Sequence, residues 1–359
     1  MKIGILTYHR SQNYGALLQA VALKRTLNKL GHKVSFIDYW PAYHKDMYRI
    51  LRNDNFRSVG ILKKCKTILS VCLRLLPILK RKKKFNSFIS SYILPYCSSL
   101  HSHYDVVICG SDQIWRKQSG LGNKFNPIYF GGGQIQTKSY VSYAASMGPI
   151  NLNEEERSVL YNWLINFKYL SVRESSLKEA LDSIGLSDVM QVLDPTLLLS
   201  KDEWEKLIPF RKDNKHKYLV VYDLLKDSFD MTAIRNFASR NKLKIRVLKG
   251  AVQSIIPNSK ENQTAGPKEM LSLISGADYV FTSSYHGLAF AIIFAKPFFA
   301  SFSKNSERAE SLLNLINQRS RLLPPMASDI PTISNIDYEN VQEILGSARK
   351  KSIEFLKKL

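Results

Sequence analysis

The chain opens on an apolar stretch, Lys2–Tyr8, then a polar loop, His9–Tyr14, and then apolar positions Ala16, Leu17, Ala20, Leu23, Leu27 and Leu30, spaced three and four residues apart. The first pattern is that of a buried strand and the second that of one helix face. Gly31 supplies a helix stop and Lys33–Tyr39 reads as the next strand. Strand, helix and strand in this order predict a parallel pair joined by a right-handed crossover.

The pattern recurs twice. Strands are expected at Tyr104–Gly110, Lys138–Ser146, Tyr169–Glu174 and Val189–Thr196, with helices over Asn153–Phe167 and Ser175–Ile184. A second series places strands at Tyr218–Leu225, Leu243–Lys249, Asp278–Ser284 and Pro297–Phe302, and helices near Asp230–Asn241, Pro267–Ser275, Gly287–Ala295 and Glu307–Gln318. The charged stretch Leu198–Lys217, interrupted by Pro209, reads as the linker. The expected fold class is therefore α/β, with two Rossmann-like domains facing a cleft in a GT-B-like arrangement. The expected boundaries are 1–197 for the first domain, on the acceptor side, and 198–335 for the second, on the donor side. Residues 336–359 form a final helix that packs back on the first domain. With 359 residues the chain is long enough for two cores.

Charge changes the picture at one place. The net charge is +22, and 13 Lys/Arg against 2 Asp fall between Lys45 and Lys84, so half the excess lies in a basic insertion near 45–90. Within it Ile61, Leu62, Cys65, Ile68, Leu69, Cys72, Leu73, Leu75, Leu76 and Leu79 make an apolar helical face, flanked by Lys63, Lys64, Lys66, Arg74 and the run Lys80–Lys84. Two readings fit: an amphipathic helix on an anionic membrane, and a surface helix packed on its own domain. Nucleic acid is not expected, because no helix-turn-helix, zinc-finger or RRM signature accompanies the charge. No apolar run reaches the length of a membrane span. The N-terminus lacks the features of a signal peptide, so a cytoplasmic location is expected, peripheral at the inner membrane face if the basic helix meets lipid. Cys65, Cys72, Cys97 and Cys109 form no C-x-x-C pair, read as structural thiols, and suggest no metal site.

Candidate chemistry is sought beyond the carboxyl ends of the strands, where open α/β sheets bind ligands. The first strand is followed by Asn13 and Tyr14, the third by Ser111, Asp112, Gln113, Trp115 and Arg116, and later strands by Arg173 and Asp194. Asp112 fits a general base toward a sugar hydroxyl, or an Asx-type cap. Trp115 fits a sugar-stacking platform. Arg173 fits an anion clamp, or an ion pair with Glu174 or Glu179. Asp194 fits a cleft residue or a structural turn. The sharpest group is Ser283-Ser284-Tyr285-His286-Gly287, a strand-to-helix turn that puts His286 at a helix N-terminus, where N–H groups and the helix dipole favour an anion. A helix cap with a satisfied structural histidine is the alternative. Neither a dinucleotide fingerprint nor a Walker A sequence occurs, which argues against NAD-dependent and ATPase chemistry, and no cofactor is expected.

Six segments together resemble the polysaccharide pyruvyl transferase family: Asn13–Ala20 (NYGALLQA), Asp105–Trp115 (DVVICGSDQIW), Ser142–Gly148 (SYAASMG), Ser171–Glu174 (SVRE), Leu193–Leu199 (LDPTLLL) and Ser283–Phe298 (SSYHGLAFAIIFAKPF). The resemblance implies transfer of the enolpyruvyl group of phosphoenolpyruvate onto two neighbouring sugar hydroxyls of a surface-polysaccharide precursor, as a cyclic ketal. It makes His286 the counterpart of the family's histidine at the phosphoenolpyruvate site. Some members carry an Arg two residues earlier, where this chain has Ser284. The expected roles are His286 on the phosphate and as acid, Arg173 on the carboxylate, and Asp112 as base. The partners implied are phosphoenolpyruvate and a sugar acceptor, which if lipid-linked would account for the basic helix. A nucleotide-sugar glycosyltransferase and a non-enzymatic scaffold on the same fold are the rival readings.

Overall fold

The computed structural model describes residues 1–50, 60–133, 135–210, 217–224, 227–253, 261–332 and 335–359. Residues 51–59 of the basic stretch, 211–216 of the expected linker and Leu225 lie outside the described residues, as do the side chains of Leu62 and Lys63.

Two parallel sheets organise the chain. The first contains β1 (Lys2–Leu6), β2 (Lys33–Ile37), β3 (Cys97–Ser98), β4 (Tyr104–Cys109), β5 (Thr137–Ser142) and β6 (Phe167–Tyr169), in spatial order β3-β2-β1-β4-β5-β6. A small parallel pair follows, β7 (Ser171–Val172) with β8 (Met190–Gln191). The second large sheet contains β9 (Tyr218–Asp223), β10 (Lys244–Lys249), β11 (Glu261–Asn262), β12 (Tyr279–Thr282) and β13 (Phe298–Ala300), in order β11-β10-β9-β12-β13. Both orders reverse direction beside the first strand of their sheet, the doubly wound pattern. The expected strand Val189–Thr196 shrinks to β8. Pro195 starts a 3₁₀ turn, Pro195–Leu198, and the Asp194 side chain caps it by accepting from the Thr196 N–H at 2.9 Å.

The strands are apolar because both faces are covered, as parallel sheets require. Ile3, Ile5, Val106 and Ile108 of the first sheet share one continuous core with Val220 and Val280 of the second. The helix Tyr285–Ile293 lies inside that core with all nine residues buried, so it has no polar face. Trp204 of the capped helix Lys201–Leu207 packs edge-on against Phe290 and donates its indole N–H to the Thr196 carbonyl at 3.0 Å. The final helix, Tyr338–Lys357, sets Phe355 against Tyr143 and Tyr169, and its Ser352 Oγ accepts from the Leu193 N–H at 3.0 Å.

The basic insertion forms helices Ile61–Leu73 and Leu75–Tyr92. One of its cations is a structural pin between the domains. Arg81 is buried, and its guanidinium donates to the Tyr14 hydroxyl and to the carbonyls of Lys249, Gly250, Gln263 and Ala265, at 2.6–3.3 Å. Tyr14 in turn donates to Ala265 O at 2.9 Å. Lys84 pairs with Glu269 at 2.7 Å. Thus the run Lys80–Lys84 is partly spent inside the molecule. Cys109 is buried in β4, whereas Cys65 and Cys72, expected as structural thiols, are exposed.

Replacing Arg81 strands several buried carbonyls at the domain junction. Hydrogen bonds to a charged donor contribute more than neutral ones, so Arg81→Met should lower unfolding free energy by about 2–4 kcal/mol. Urea denaturation measures this; an unchanged midpoint would contradict the pin.

Candidate active site

Each sheet points its switch point into the space between the domains. In the first sheet this lies between β1 and β4, whose following loops carry Asn13 and Asp112. In the second it lies between β9 and β12, followed by Leu224 and by Ser283–His286. Asn13, Asp112, Gln113, Leu224, Ser283, Ser284, Tyr285, His286 and Arg308 line one cavity of about 190 Å³.

Two helix N-termini meet there. Asn13 caps helix Tyr14–Lys29, its Oδ1 accepting from the Gly15 and Ala16 N–H groups at 2.9 and 3.3 Å. Ser284 caps helix Tyr285–Ile293, its Oγ accepting from the Gly287 N–H at 3.3 Å. Both ends carry the positive pole of their helix. The His286 ring fills the space between them. A Cβ added to Gly15 would stand 1.9 Å from His286 Nδ1, so only glycine fits opposite the ring.

Beneath His286 lies a buried charge cluster. Asp194 Oδ2 is 3.2 Å from Arg173 Nη1 and 3.6 Å from His286 Nε2, while Asp194 Oδ1 accepts from the Thr196 hydroxyl at 2.6 Å. Burial acts to raise the Asp194 pKa, but the adjacent Arg173 and His286 overcome it and hold the carboxyl well below its usual range. Asp194 is therefore an anion that faces the Nε2 side of the imidazole at ion-pair distance. Arg173 also donates to Ser111 Oγ. Neither alternative partner expected for Arg173, Glu174 or Glu179, forms an ion pair with it; Glu174 Oε1 accepts from Ser146 Oγ and the Met147 N–H at 2.9 and 3.1 Å.

Asp112 stands across the cavity with φ 77°, a left-handed conformation that Asp tolerates better than most residues. Its Oδ1 accepts from the Gln113 N–H at 2.8 Å, so the cap reading describes one oxygen, and the residue lines the cavity. Gln113 Nε2 is buried with no hydrogen-bond partner, against Gly148.

Arg308, on helix Glu307–Leu315, carries no motif and was not among the expected site residues. Its guanidinium lies 5.6 Å from the Tyr285 ring centroid, and that of Arg173 lies 5.2 Å from the same ring. Arg308 forms no ion pair with any described carboxylate, and its Nε is buried without a partner. Burial first, and Arg173 second, lower its pKa. Arg308 thus lines the same cavity as Asn13 and Ser284, the caps of the two helices, with Glu174 and Asp112 as the opposing charges that act on it. An isolated Arg in an ordinary amphipathic helix gives no signal in sequence; only the fold brings it to the cleft.

Several expected contacts are corrected. Trp115 is wholly buried, stacked on Phe130 with its N–H on the Tyr129 carbonyl at 2.9 Å, and cannot stack on a sugar. Tyr14 is buried at the domain junction, as described above, and does not line the cleft. Ser111 is buried under the cleft as a support for Arg173. Arg116 is exposed outside the cavity lining. Gly287 is a packing position, since a Cβ there would meet Thr282 Oγ1 at 2.3 Å and Tyr222 at 2.7 Å. Ser283 lines the cleft but its hydroxyl is already bound to Asp223 Oδ1 at 2.7 Å.

Away from the cleft, His9, Asp38 and Cys97 bring metal-type ligand atoms within 4.8 Å of one another. Here Arg10 pairs with Asp38 at 2.5 Å, and burial pushes the Cys97 thiol up to about 11, so this cluster already balances its own charge. Among the described residues no helix is long and apolar enough to cross a membrane.

The two doubly wound domains, with a cleft at their facing switch points, define a GT-B-like α/β protein. The chain belongs to the polysaccharide pyruvyl transferase family, whose model matches residues 13–302, and the family supports a transferase. A search of curated proteins returns no match. Among solved structures, the chain resembles UDP-GlcNAc 2-epimerase from Methanocaldococcus jannaschii at 12% identity and TM-score 0.48, covering 96% of this chain and 92% of that one. It also resembles the glycosyltransferase SnogD from Streptomyces nogalater (11%, TM-score 0.40, 99% and 95% covered) and E. coli heptosyltransferase WaaC with ADP (9%, TM-score 0.42, 97% and 100% covered). These scores are too low to bear on function, and the architecture rests on the two sheets themselves.

Gly15 offers a direct check of the site. Gly15→Ala leaves a helix-compatible backbone but drives the His286 ring aside. A misplacement near 1 Å costs about 100-fold in rate, so turnover should fall by about that factor with the thermal midpoint within a few degrees. Full activity would contradict the packing of His286 on Gly15.

Proposed function

We propose that this protein transfers the enolpyruvyl group of phosphoenolpyruvate to a sugar of a surface-polysaccharide precursor, forming a pyruvate ketal. The observation that carries the reading is the meeting, in one cavity of a chain of this family, of Asp112 from the first domain with Ser284, His286 and Arg308 from the second.

The donor carries a phosphate and a carboxylate. In this reading the phosphate sits at the two helix N-termini, against His286 and Arg308. Arg308 supplies the cation that Ser284 does not. Arg173 acts beneath the site: it neutralises Asp194, which holds the His286 ring. This revises the assignment of Arg173 to the donor carboxylate, because its guanidinium is buried, ion-paired with Asp194 and hydrogen-bonded to Ser111.

Reaction begins with protonation of the methylene carbon, which makes C2 electrophilic. One acceptor hydroxyl adds to C2, the C2–O bond to phosphate breaks, and the neighbouring hydroxyl closes the ketal. Of the two hydroxyl protons released overall, one balances the new methyl group and one leaves with phosphate. Asp112 receives a hydroxyl proton through its free oxygen, and His286 protonates the departing phosphate.

The test is phosphate release from phosphoenolpyruvate, with product mass followed over a panel of sugar and lipid-linked sugar acceptors. His286→Ala should lose at least about 100-fold in kcat/KM. Arg308→Ala should raise KM for phosphoenolpyruvate by about ten-fold or more with a smaller change in kcat, as expected for lost ground-state binding. Near-normal turnover of His286→Ala, or a thermal shift with UDP- or GDP-sugars and none with phosphoenolpyruvate, would overturn the reading.

A further inference from the structure

The helix Ile61–Leu73 is turned inside out. Ile61, Cys65, Ile68, Leu69, Cys72 and Leu73 recur at helical spacing, and all are exposed. Leu75, Leu76 and Leu79 extend the surface into the next helix. Ile61 and Leu76 are 79% and 80% exposed, among the most exposed of the large apolar side chains. An ordinary surface helix buries such a stripe against its domain; here the polar side faces inward instead. Arg74 fixes that orientation. Its guanidinium donates to Ser70 O and Oγ at 2.9 Å and to the Val252 and Gln253 carbonyls of the second domain at 3.4 and 3.3 Å.

Cations frame the stripe. At 100° per residue, Lys64 falls on one edge and Lys66 on the other. Lys80 and Lys83 are exposed at the start of the next helix. Long lysine stems can lie along an apolar surface while their charges reach outward. A second copy of the chain would bring its own lysines and its own +22 charge against this face. An anionic surface would be attracted by the same groups.

We infer that helix Ile61–Leu73, with the first turns of the following helix, is a peripheral membrane-binding element that lies in the interface of an anionic lipid bilayer, its leucines and isoleucines below the headgroups and its lysines among them. The inference does not rest on the donor assignment, because lipid binding is read without substrate. It corrects the expectation that the whole run Lys80–Lys84 serves the membrane: Arg81 and Lys84 are bound within the protein, which leaves Lys82, half-buried, and the exposed Lys80 and Lys83.

The experiment is flotation of the full chain with vesicles of phosphatidylcholine alone and with one-third phosphatidylglycerol, at low and high salt. The wild-type protein should float with the anionic vesicles, more weakly with neutral ones, and less at high salt. Leu69→Glu/Leu73→Glu alters exposed positions only, so its thermal midpoint should match the wild type while its vesicle affinity falls by about ten-fold or more. Lys80→Gln/Lys83→Gln should weaken binding to anionic vesicles alone. Failure of the wild type to bind anionic vesicles, or unchanged binding by the Leu69/Leu73 variant, would overturn the inference. A wild-type dimer that this variant dissociates, without vesicle binding, would show the face to be a contact between copies and would also overturn it.

Discussion

The site is organised by one buried carboxylate. Asp194 sits with no solvent access between Arg173 and His286, two residues that reach it from different domains. Removing one partner of such a buried pair costs about 3–5 kcal/mol, because the remaining charge is stranded. Asp194 therefore joins the stability of the domain junction to the orientation of the imidazole. Its second oxygen caps the turn at Pro195, so the same side chain also shapes the chain where it leaves the first domain.

The rest of the architecture keeps that contact in place. Two parallel sheets, each reversing order beside its first strand, set their switch points face to face. Helix Tyr14–Lys29 brings Asn13 and Gly15 to one side, and the fully buried helix Tyr285–Ile293 brings His286 to the other. Tyr14 and Arg81 lock the domains a short distance away, through carbonyls of the second domain. Arg173 is paired with Asp194 below the cleft, while Arg308 lines it without an ion pair to any described carboxylate.

Much of this could be read in the sequence. Alternation between strand-like apolar runs and helical spacing revealed both doubly wound domains, because buried parallel strands leave an unmistakable pattern. The turn Ser283–Gly287 was legible for the same reason, lying between an apolar strand and an apolar helix. Side-chain direction was not legible. Trp115 and Tyr14 stand beside the cleft residues in sequence yet point into the core, and Arg173 takes Asp194, distant by 21 positions, over the adjacent Glu174. Arg308 escaped notice because its helix carries an ordinary pattern. The basic helix showed the converse: its amphipathic period was clear, but which face met the protein was decided by Arg74 and the second domain.

The central claim is that Asp194 acts through His286. A double-mutant cycle on kcat/KM for the proposed donor phosphoenolpyruvate, with Asp194→Asn and His286→Ala, tests it most directly. If Asp194 serves the imidazole, the double variant will be about as impaired as His286→Ala alone. Fully additive losses would contradict the coupling and leave Asp194 a structural residue only.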